Sequence, residues 1–527
     1  MTRIPDATRS NPRDDLSDAV RSAGGDPIDF ARRLGRLIDF DAPRFARMWS
    51  YYRNPASIRP SGDVPGASGH ATRPYRQAQE WGLPRRITGG ASVDPITGEP
   101  TASTRREVVI ENDIAWRVDA MVDFLFGRQI RIDSVAPDPS RREALSSLGR
   151  AILASNGGSA WMQQVALIGA VFGSVDVLVK LLPEDQATPF AKPASRDDVP
   201  ASHSPDVSRT DSDTGTGMSA PRSSEADADL FARLARRIRL EIVEPARALP
   251  LLDGLDRRVV RAYAQVYQVE RSEPPFARRA TWWRRWTASR PTAAGRSVVV
   301  ELITPDEWMS FHDGRLVAAG VNSLGRIPLA HVQNIAIPFE YHGAGEVEPL
   351  MPLQDELNTR LSDRAHRITM QSFRMYLGKG IEQFTEQPVA PGRMWMTDNP
   401  DAQIVEFGGD AACPSEDAHV REVREAMDKT SGVTPIAAGI LKNRIGRLTS
   451  GAALRVTLMS LIARTHRKRL SYGHGLAQVV ELALAWLDRA GLFHSGPHER
   501  GIEIHWPDPV AAIAGDEPPL CRLSDEP

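Results

Sequence analysis

The spacing of apolar side chains predicts helices and strands that alternate along the first half of the chain. Asn112 can cap a helix whose apolar positions recur at three- and four-residue steps before Gly127. A second helix is predicted from Trp161 to Phe172, and residues 175–182 alternate as in a strand. This part of the chain therefore combines both kinds of element.

A long β-rich stretch follows a polar linker. Residues 183–229 are crowded with Pro, Ser, Asp, Thr and Gly, so they bury too little apolar surface to fold and are predicted to be a disordered insertion or an exposed loop. Between 239 and 337 strand patterns alternate with turn signals. The predicted strands are 240–243, 258–269, 298–303 and 316–321. Together with the two helices they predict one α+β domain that the linker interrupts.

The second half is predicted to be mainly helical. An apolar stripe starts a long helix, with Pro352 in its first turn, that is predicted to extend to about Leu377. Short strands at 393–396 and 403–407, a helix at 416–429 and a glycine-containing loop at 432–447 follow. A helix of about forty residues is predicted from Ser450 to about Ala490, kinked or broken near Gly473 and Gly475. The residues of the stripe are Leu350, Leu353, Leu357, Leu361, Ala365 and Ile368.

Composition narrows the class of protein. With 527 residues, 41% hydrophobic and 25% charged side chains, the chain fits two to four structural units of an ordinary globular protein. Cys413 and Cys521 are too few for a disulfide framework. The chain lacks an apolar run of about 20 residues, so no membrane partner is expected. No nucleotide-binding, zinc-protease or serine-hydrolase motif is present, and neither an enzymatic activity nor a cofactor or metal is expected.

Charge is distributed unevenly at the end of the chain. No acidic residue lies between Asp428 and Glu481, although the whole chain has a net charge of only -2. A one-sided basic stretch is typical of a surface that meets phosphates, and the alternative is a solvated basic helix face. The nine cations of this window are Lys429, Lys442, Arg444, Arg447, Arg455, Arg464, Arg467, Lys468 and Arg469.

Four local strings, in this order, resemble the portal (head–tail connector) proteins of tailed bacteriophages. Residues 322–329 (NSLGRIPL) are similar to the strand entry of that family, and residues 343–358 (GAGEVEPLMPLQDELN) to the start of its stem helix. Residues 431–435 (SGVTP) and 449–454 (TSGAAL) are similar to the segments on either side of its channel loop. The order and spacing of the strings carry the resemblance.

The resemblance implies a division of the chain into portal modules. Residues 1–104 would be a partly irregular N-terminal arm, and 105–349 the α+β wing that contains the insertion 183–229. The stem helix would be 350–378, the clip 379–413, the second stem helix 414–432 and the tunnel loop 433–447. The remaining modules would be a long wing helix at 448–490 and a short crown or tail at 491–527.

The same resemblance implies a function and partners. The chain would form a ring, usually a dodecamer, at one capsid vertex of a phage, prophage or gene-transfer-agent particle, after assembly in the host cytoplasm. Double-stranded DNA would pass through it without sequence recognition during packaging and ejection. Terminase, a head–tail adaptor, the major capsid protein and scaffolding protein would be its protein partners. A nucleic-acid-processing enzyme with an unrecognised active site and a capsid or tail adaptor protein are the alternatives.

Specific residues follow from this assignment. The tunnel loop would present Lys442, Asn443, Arg444 and Arg447 to DNA, with pairing of Arg444 or Arg447 to a carboxylate of a neighbouring subunit as the alternative. The basic helix cluster Arg464, Arg467, Lys468 and Arg469 is expected to face DNA, capsid, a neighbouring subunit or solvent. The expected oligomer interface on the stem helix, with helix packing as its simpler interpretation, is Leu353, Leu357, Leu361, Asp355, Asp363 and Arg367.

Overall fold

The structure is a computed structural model. It describes residues 14–58, 75–93, 100–103, 106–183, 223–270, 296–372, 375–379, 400–407, 413–438 and 455–509. The chain divides into two compact units. Unit 1 comprises residues 1–47, 119–345 and 445–527, and unit 2 comprises residues 48–118 and 346–444. Helices and antiparallel sheets both contribute, which confirms the predicted α+β class.

The helices of the described residues are, in chain order, α1 (Asp14–Ser22), α2 (Pro27–Arg36), α3 (Ala42–Arg53), α4 (Arg85–Thr88), α5 (Asp113–Phe126), α6 (Pro139–Ser155), α7 (Gly158–Phe172), α8 (Ser223–Arg236), α9 (Met351–Ser372), α10 (Pro414–Ser431) and α11 (Met459–Arg489).

The strands are β1 (Ala56–Ile58), β2 (Tyr75–Gln77), β3 (Gly90–Val93), β4 (Pro100–Ser103), β5 (Arg131–Ser134), β6 (Ser174–Leu181), β7 (Ile238–Val243), β8 (Ala248–Leu252), β9 (Val260–Glu270), β10 (Arg296–Ile303), β11 (Glu307–His312), β12 (Arg315–Val321), β13 (Leu329–Gln333), β14 (Met375–Lys379), β15 (Gln403–Phe407) and β16 (Ile502–His505).

Unit 1 is built on antiparallel sheets. A five-stranded sheet has the order β12-β11-β10-β9-β8, and a three-stranded sheet has the order β13-β6-β7. The second sheet packs against α7 and α11. The main apolar core lies here and includes Leu145 of α6, Val165 of α7 and Leu484 of α11. Asp138 begins α6 by accepting a hydrogen bond from the Arg141 amide at 2.8 Å, which satisfies an amide that the helix itself leaves unpaired.

Unit 2 contains α4, α9, α10 and three two-stranded sheets, β1-β2, β3-β4 and β14-β15. Here the sequence prediction needs one correction. The helix predicted to extend to about Leu377 ends at Ser372, and residues 375–379 form a strand that pairs with 403–407. The predicted strand at 403–407 and the predicted helix at 416–429 are confirmed. The predicted strand at 393–396 lies outside the described residues.

Three further expectations are wrong or incomplete. The polar linker does not extend to 229, because α8 begins at Ser223. The N-terminal arm contains three helices, α1 to α3. Gly473 and Gly475 do not break the last helix, which is continuous from Met459 to Arg489. A Cβ atom on Gly475 would lie 2.2 Å from Cγ2 of Val332, so this glycine permits close packing of α11 on β13.

Candidate DNA channel and subunit interface

The two helices that were expected to form the stem pack against each other in unit 2. Leu357 of α9 is fully buried, and Val420, Val423 and Met427 of α10 are buried as well. Leu353 and Leu361 are only half-buried. Leu357 therefore belongs to the helix core of its own chain, and the other two leucines keep part of their surface available.

Ion pairs fix the direction of this helix pair. His419 Nε2 lies 3.0 Å from Glu356 Oε1, Arg364 pairs with Asp417 at 2.9 Å, and Arg367 pairs with Glu416. Residue numbers fall along α9 as they rise along α10, so the helices are antiparallel. The hydrogen bond from His419 and the Arg360 guanidinium together hold the pKa of Glu356 below its usual value, although burial opposes them. Since most of these groups are partly exposed, the pairs orient the helices more than they stabilise them.

A polar seam on α9, defined by Gln354, Asn358 and Ser362, binds residues 109–113, which lead into the start of α5. All three side chains are almost completely buried. Their side-chain oxygens accept hydrogen bonds, each of 3.0 Å, from the backbone amides of residues 113, 111 and 109 respectively. Every fourth residue of the helix thus binds every second amide of this segment. Sequence reasoning missed this seam, although the four-residue spacing of the three polar residues beside the leucine stripe was visible.

The charged residues expected at the subunit interface have partners within their own chain. Asp355 accepts a hydrogen bond from the Tyr51 hydroxyl at 2.7 Å. Asp363 pairs with Arg86 at 2.7 Å, and Arg367 pairs with Glu416. These contacts give the three residues a role in holding unit 2 together. Lateral ion pairs with a neighbouring subunit remain a prediction.

The basic cluster of α11 is split between two faces of the helix. Lys468 is buried and its Nζ lies 3.5 Å from Met121 Sδ. Arg469 is also buried. Its guanidinium lies over the Trp506 ring and donates to the Pro507 carbonyl oxygen at 2.8 Å, and burial lowers its pKa. Arg464 is half-buried and Arg467 is exposed. The sequence therefore overstated the size of the cationic surface on this helix.

The predicted DNA-contacting residues Lys442, Asn443, Arg444 and Arg447 lie outside the described residues. Before these residues, the last described element is a 3-10 turn, Pro435–Ala438, which follows α10. Gly432 ends α10 with a φ of +71° and donates its amide to the Asp428 carbonyl oxygen. After these residues, the first described residue is Arg455, which pairs with Asp508 at 2.8 Å.

A buried polar network in unit 1 is centred on Asp176 of β6. Its carboxylate accepts hydrogen bonds from the hydroxyls of Tyr263 and Tyr341 at 2.7 and 2.9 Å. His331 Nδ1 lies 2.6 Å from the same carboxylate, and its Nε2 bonds the Tyr341 carbonyl oxygen at 2.7 Å. Tyr341 is thus held at two atoms, its hydroxyl by Asp176 and its carbonyl oxygen by His331. The network therefore fastens the segment around Tyr341 to strands β6 and β13.

Comparison with known families identifies the chain. The family "Phage portal protein, SPP1 Gp6-like" matches residues 237–512, which is more than half of the 527 residues. The chain belongs to this family. The resemblance stated from the four sequence strings is thereby confirmed, and a portal or connector role follows. The phage portal family is structural, which confirms the expectation that the chain is not an enzyme.

Two solved structures that are similar to this portal family member come from gene transfer agent particles. One is described as the virion of a native gene transfer agent particle, with 11% identity, a TM-score of 0.38, and 76% of this chain and 83% of the other covered. Another is the neck of an empty gene transfer agent particle computed with C6 symmetry, with 12% identity, a TM-score of 0.37, and 76% and 82% covered. No curated protein matches the sequence.

Within the described residues no group of three or more His, Cys, Asp or Glu side chains is arranged to hold a metal ion. Among the same residues no helix combines the length and apolarity needed to cross a bilayer.

Proposed function

We propose that this chain forms a ring at one capsid vertex and that double-stranded DNA passes through the ring during packaging and ejection. The observation that carries this proposal is the acid-free window, which begins directly after Asp428 near the end of α10. The loop 433–447 within it contains three cations and no carboxylate. In a family of portal proteins, such a loop suits a channel wall that meets phosphates.

The chemistry of this loop fits a duplex that must slide. Cations that touch phosphates hold DNA through charge and carry no sequence information, so every register along the duplex is equivalent. Lys442, Arg444 and Arg447 lie between Gly439 and Gly446 or close to them, and glycine allows the backbone to follow the moving strand. Asn443 can donate to phosphate oxygens in the same way. Contact with DNA would be local, in keeping with the nearly neutral chain.

The remaining assignments complete the proposal. The antiparallel pair α9 and α10 would be the stem, and residues 379–413 the clip that meets terminase and later the head–tail adaptor. Residues 105–349 and α11 would form the wing, facing the major capsid and scaffolding proteins. The chain would assemble in the host cytoplasm and reside in the virion.

The first test is the mass of the purified full-length chain, measured by light scattering with particle images of the same sample. A ring with an axial hole is expected. A protein that stays monomeric both alone and with its scaffolding protein would contradict the proposal.

The second test replaces Lys442, Arg444 and Arg447 together with Ala. Ring mass is expected to be unchanged, while the amount of nuclease-protected DNA in particles falls. The matched control replaces Arg239, Arg257 and Arg315, three exposed arginines of unit 1, and should leave packaged DNA unchanged. Normal packaging in the first variant would exclude the loop cations from DNA contact.

A further inference from the structure

Phe339 combines two properties that are costly for a bulky apolar residue. Its φ is +66°, in the left-handed region that disfavours side chains with a Cβ atom. Its side chain is 90% exposed. Strained backbone persists where surrounding contacts impose it and is concentrated at functional sites. Neither the core nor the fold of the described chain uses this aromatic ring.

The surroundings of Phe339 hold it in this conformation. The next two carbonyl oxygens, of Glu340 and Tyr341, both accept hydrogen bonds from Gln333 Nε2, at 2.8 and 3.0 Å. Tyr341 is also fixed by the Asp176 network described above. The Ala344 amide closes the segment by donating to the Ile335 carbonyl oxygen at 2.9 Å. The loop 335–344 is thus a rigid support with an aromatic side chain and the exposed carboxylate of Glu340 at its tip.

A second surface in unit 1 has the complementary character. The side of α11 opposite the buried Lys468 carries the exposed apolar side chains of Met459 and Leu470, which are 66% and 78% exposed. Ala463 is exposed between them, and so is Arg467. These positions follow one another at three- and four-residue steps and therefore share one helix face. This face, residues 459–470, offers a shallow apolar site with a cation beside it.

We propose that Phe339 of one copy packs on the 459–470 face of the next copy, over Ala463 and between Met459 and Leu470, while Glu340 pairs with Arg467. The two surfaces are different parts of the same chain, so the contact is heterologous, and repeated contacts of this kind form a ring when the rotation from one subunit to the next closes. Buried aromatic anchors contribute much of the binding energy of an interface. The inference rests on the proposed ring and names the contact that joins its subunits.

The test compares assembly of full-length variants by light scattering over a range of concentrations. Phe339→Ala should raise the concentration at half-assembly by at least about tenfold. Phe339→Gly should do the same and also raise the Tm of the unassembled chain, because glycine relieves the strain at φ +66°. Leu255→Ala is the matched control, because Leu255 is fully exposed in a turn of unit 1. This variant should assemble at the same concentrations as the wild type.

Charge exchange tests the pairing directly. Glu340→Arg and Arg467→Glu should each weaken assembly, and the double variant should restore it towards the wild-type concentration dependence. If wild type and Phe339→Ala form rings over the same concentrations, or if the double variant gives no rescue, this contact is wrong and the proposed function stands. A wild-type chain that stays monomeric both alone and with its scaffolding protein overturns both.

Discussion

Arg117 Nη2 lies 2.6 Å from Asp428 Oδ1 and joins α5 to the last turns of α10. The Arg117 side chain is only 1% exposed, and its other terminal nitrogen donates to the Asp113 carbonyl oxygen at 2.7 Å. Asp428 is also the last acidic residue before Glu481. Asp428, the last carboxylate before the acid-free window, therefore pairs with a buried guanidinium. This pair anchors the helix that precedes the predicted tunnel loop.

Asp428→Ala should destabilise unit 2 strongly. Asp113, whose Oδ2 lies 3.2 Å from Arg117 Nη1, remains as the second carboxylate of the buried guanidinium, so the loss is that of one charged hydrogen bond, about 1.5–3 kcal/mol. The measurement is the free energy of unfolding from urea denaturation. Asp417→Ala removes an exposed ion pair from the same helix and should cost less than about 1 kcal/mol. Equal effects of the two variants would show that the Arg117 pair is not a stabilising contact.

Two glycines of α11 should respond to alanine in opposite ways. Gly475→Ala places a Cβ atom 2.2 Å from Val332 Cγ2 and should destabilise unit 1 by about 1–3 kcal/mol. At Gly473 the nearest atom is Trp506 Nε1 at 3.5 Å, so alanine fits there and should stabilise the helix by up to about 1 kcal/mol. Thermal unfolding of both variants decides the matter. A stabilised Gly475→Ala chain would refute the close contact with β13.

Asp176 predicts loss of stability in acid. Burial alone would raise the pKa of Asp176, but the hydrogen bond and charge of His331, with the two tyrosine hydroxyls, hold the pKa below its usual value. The folded pKa is thus lower than the unfolded one. The ionised carboxylate therefore contributes stability above about pH 4, and this contribution is lost as the pH falls through the folded pKa.

Asp176→Asn tests this dependence. The variant should lower the Tm at pH 7 and flatten the decline of the Tm between pH 5 and acid pH values. Asp306→Asn, at an exposed position of the same unit, should leave the curve unchanged. If the Tm of Asp176→Asn declines in acid as steeply as the Tm of the wild type, other carboxylates cause the decline.

The two neighbouring arginines of the basic cluster should separate structural from surface roles. Arg469→Ala loses its packing on Trp506 and its hydrogen bond to the Pro507 carbonyl oxygen, and should destabilise unit 1 by about 1–3 kcal/mol. Arg467→Ala should leave the thermal stability of the unassembled chain within about 0.5 kcal/mol of wild type, because the side chain is exposed. Matching losses would mean that Arg467 also has a structural contact.

Periodicity predicted the elements whose burial follows a simple rule. The apolar repeats of α5, α7 and α10 and the alternation of β6, β7, β9, β10 and β12 identified all eight elements, with ends displaced by a few residues. The α6 helix was missed because its repeat is diluted by Ser146 and Gly149, small residues that are buried in the core. Strand 375–379 was missed because no Pro or Gly separates it from the preceding helix. Its partner strand, 403–407, is more than twenty residues away, so local periodicity gives no sign of the pairing.

Sequence reasoning about the site succeeded with the family and failed with individual charges. Four short strings were enough for the portal resemblance, because their order and spacing can be read from the sequence without knowing which side chains are buried. Lys468 and Arg469 were grouped with Arg467 because adjacent letters give no information about which helix face is covered. Lys468 is buried against Met121 and Arg469 against Trp506, and both contacts join residues that are distant in the sequence.

The polar seam of α9 has a mechanical consequence. An apolar helix face tolerates sliding, because one leucine can replace another against the same neighbour. Gln354, Asn358 and Ser362 instead bind three specific amides of the segment 109–113, so a shift of α9 along its axis would break all three hydrogen bonds in the buried interior at once. Under a force directed along the helix axis, α9 and this segment would bear the load as one element rather than shear past each other.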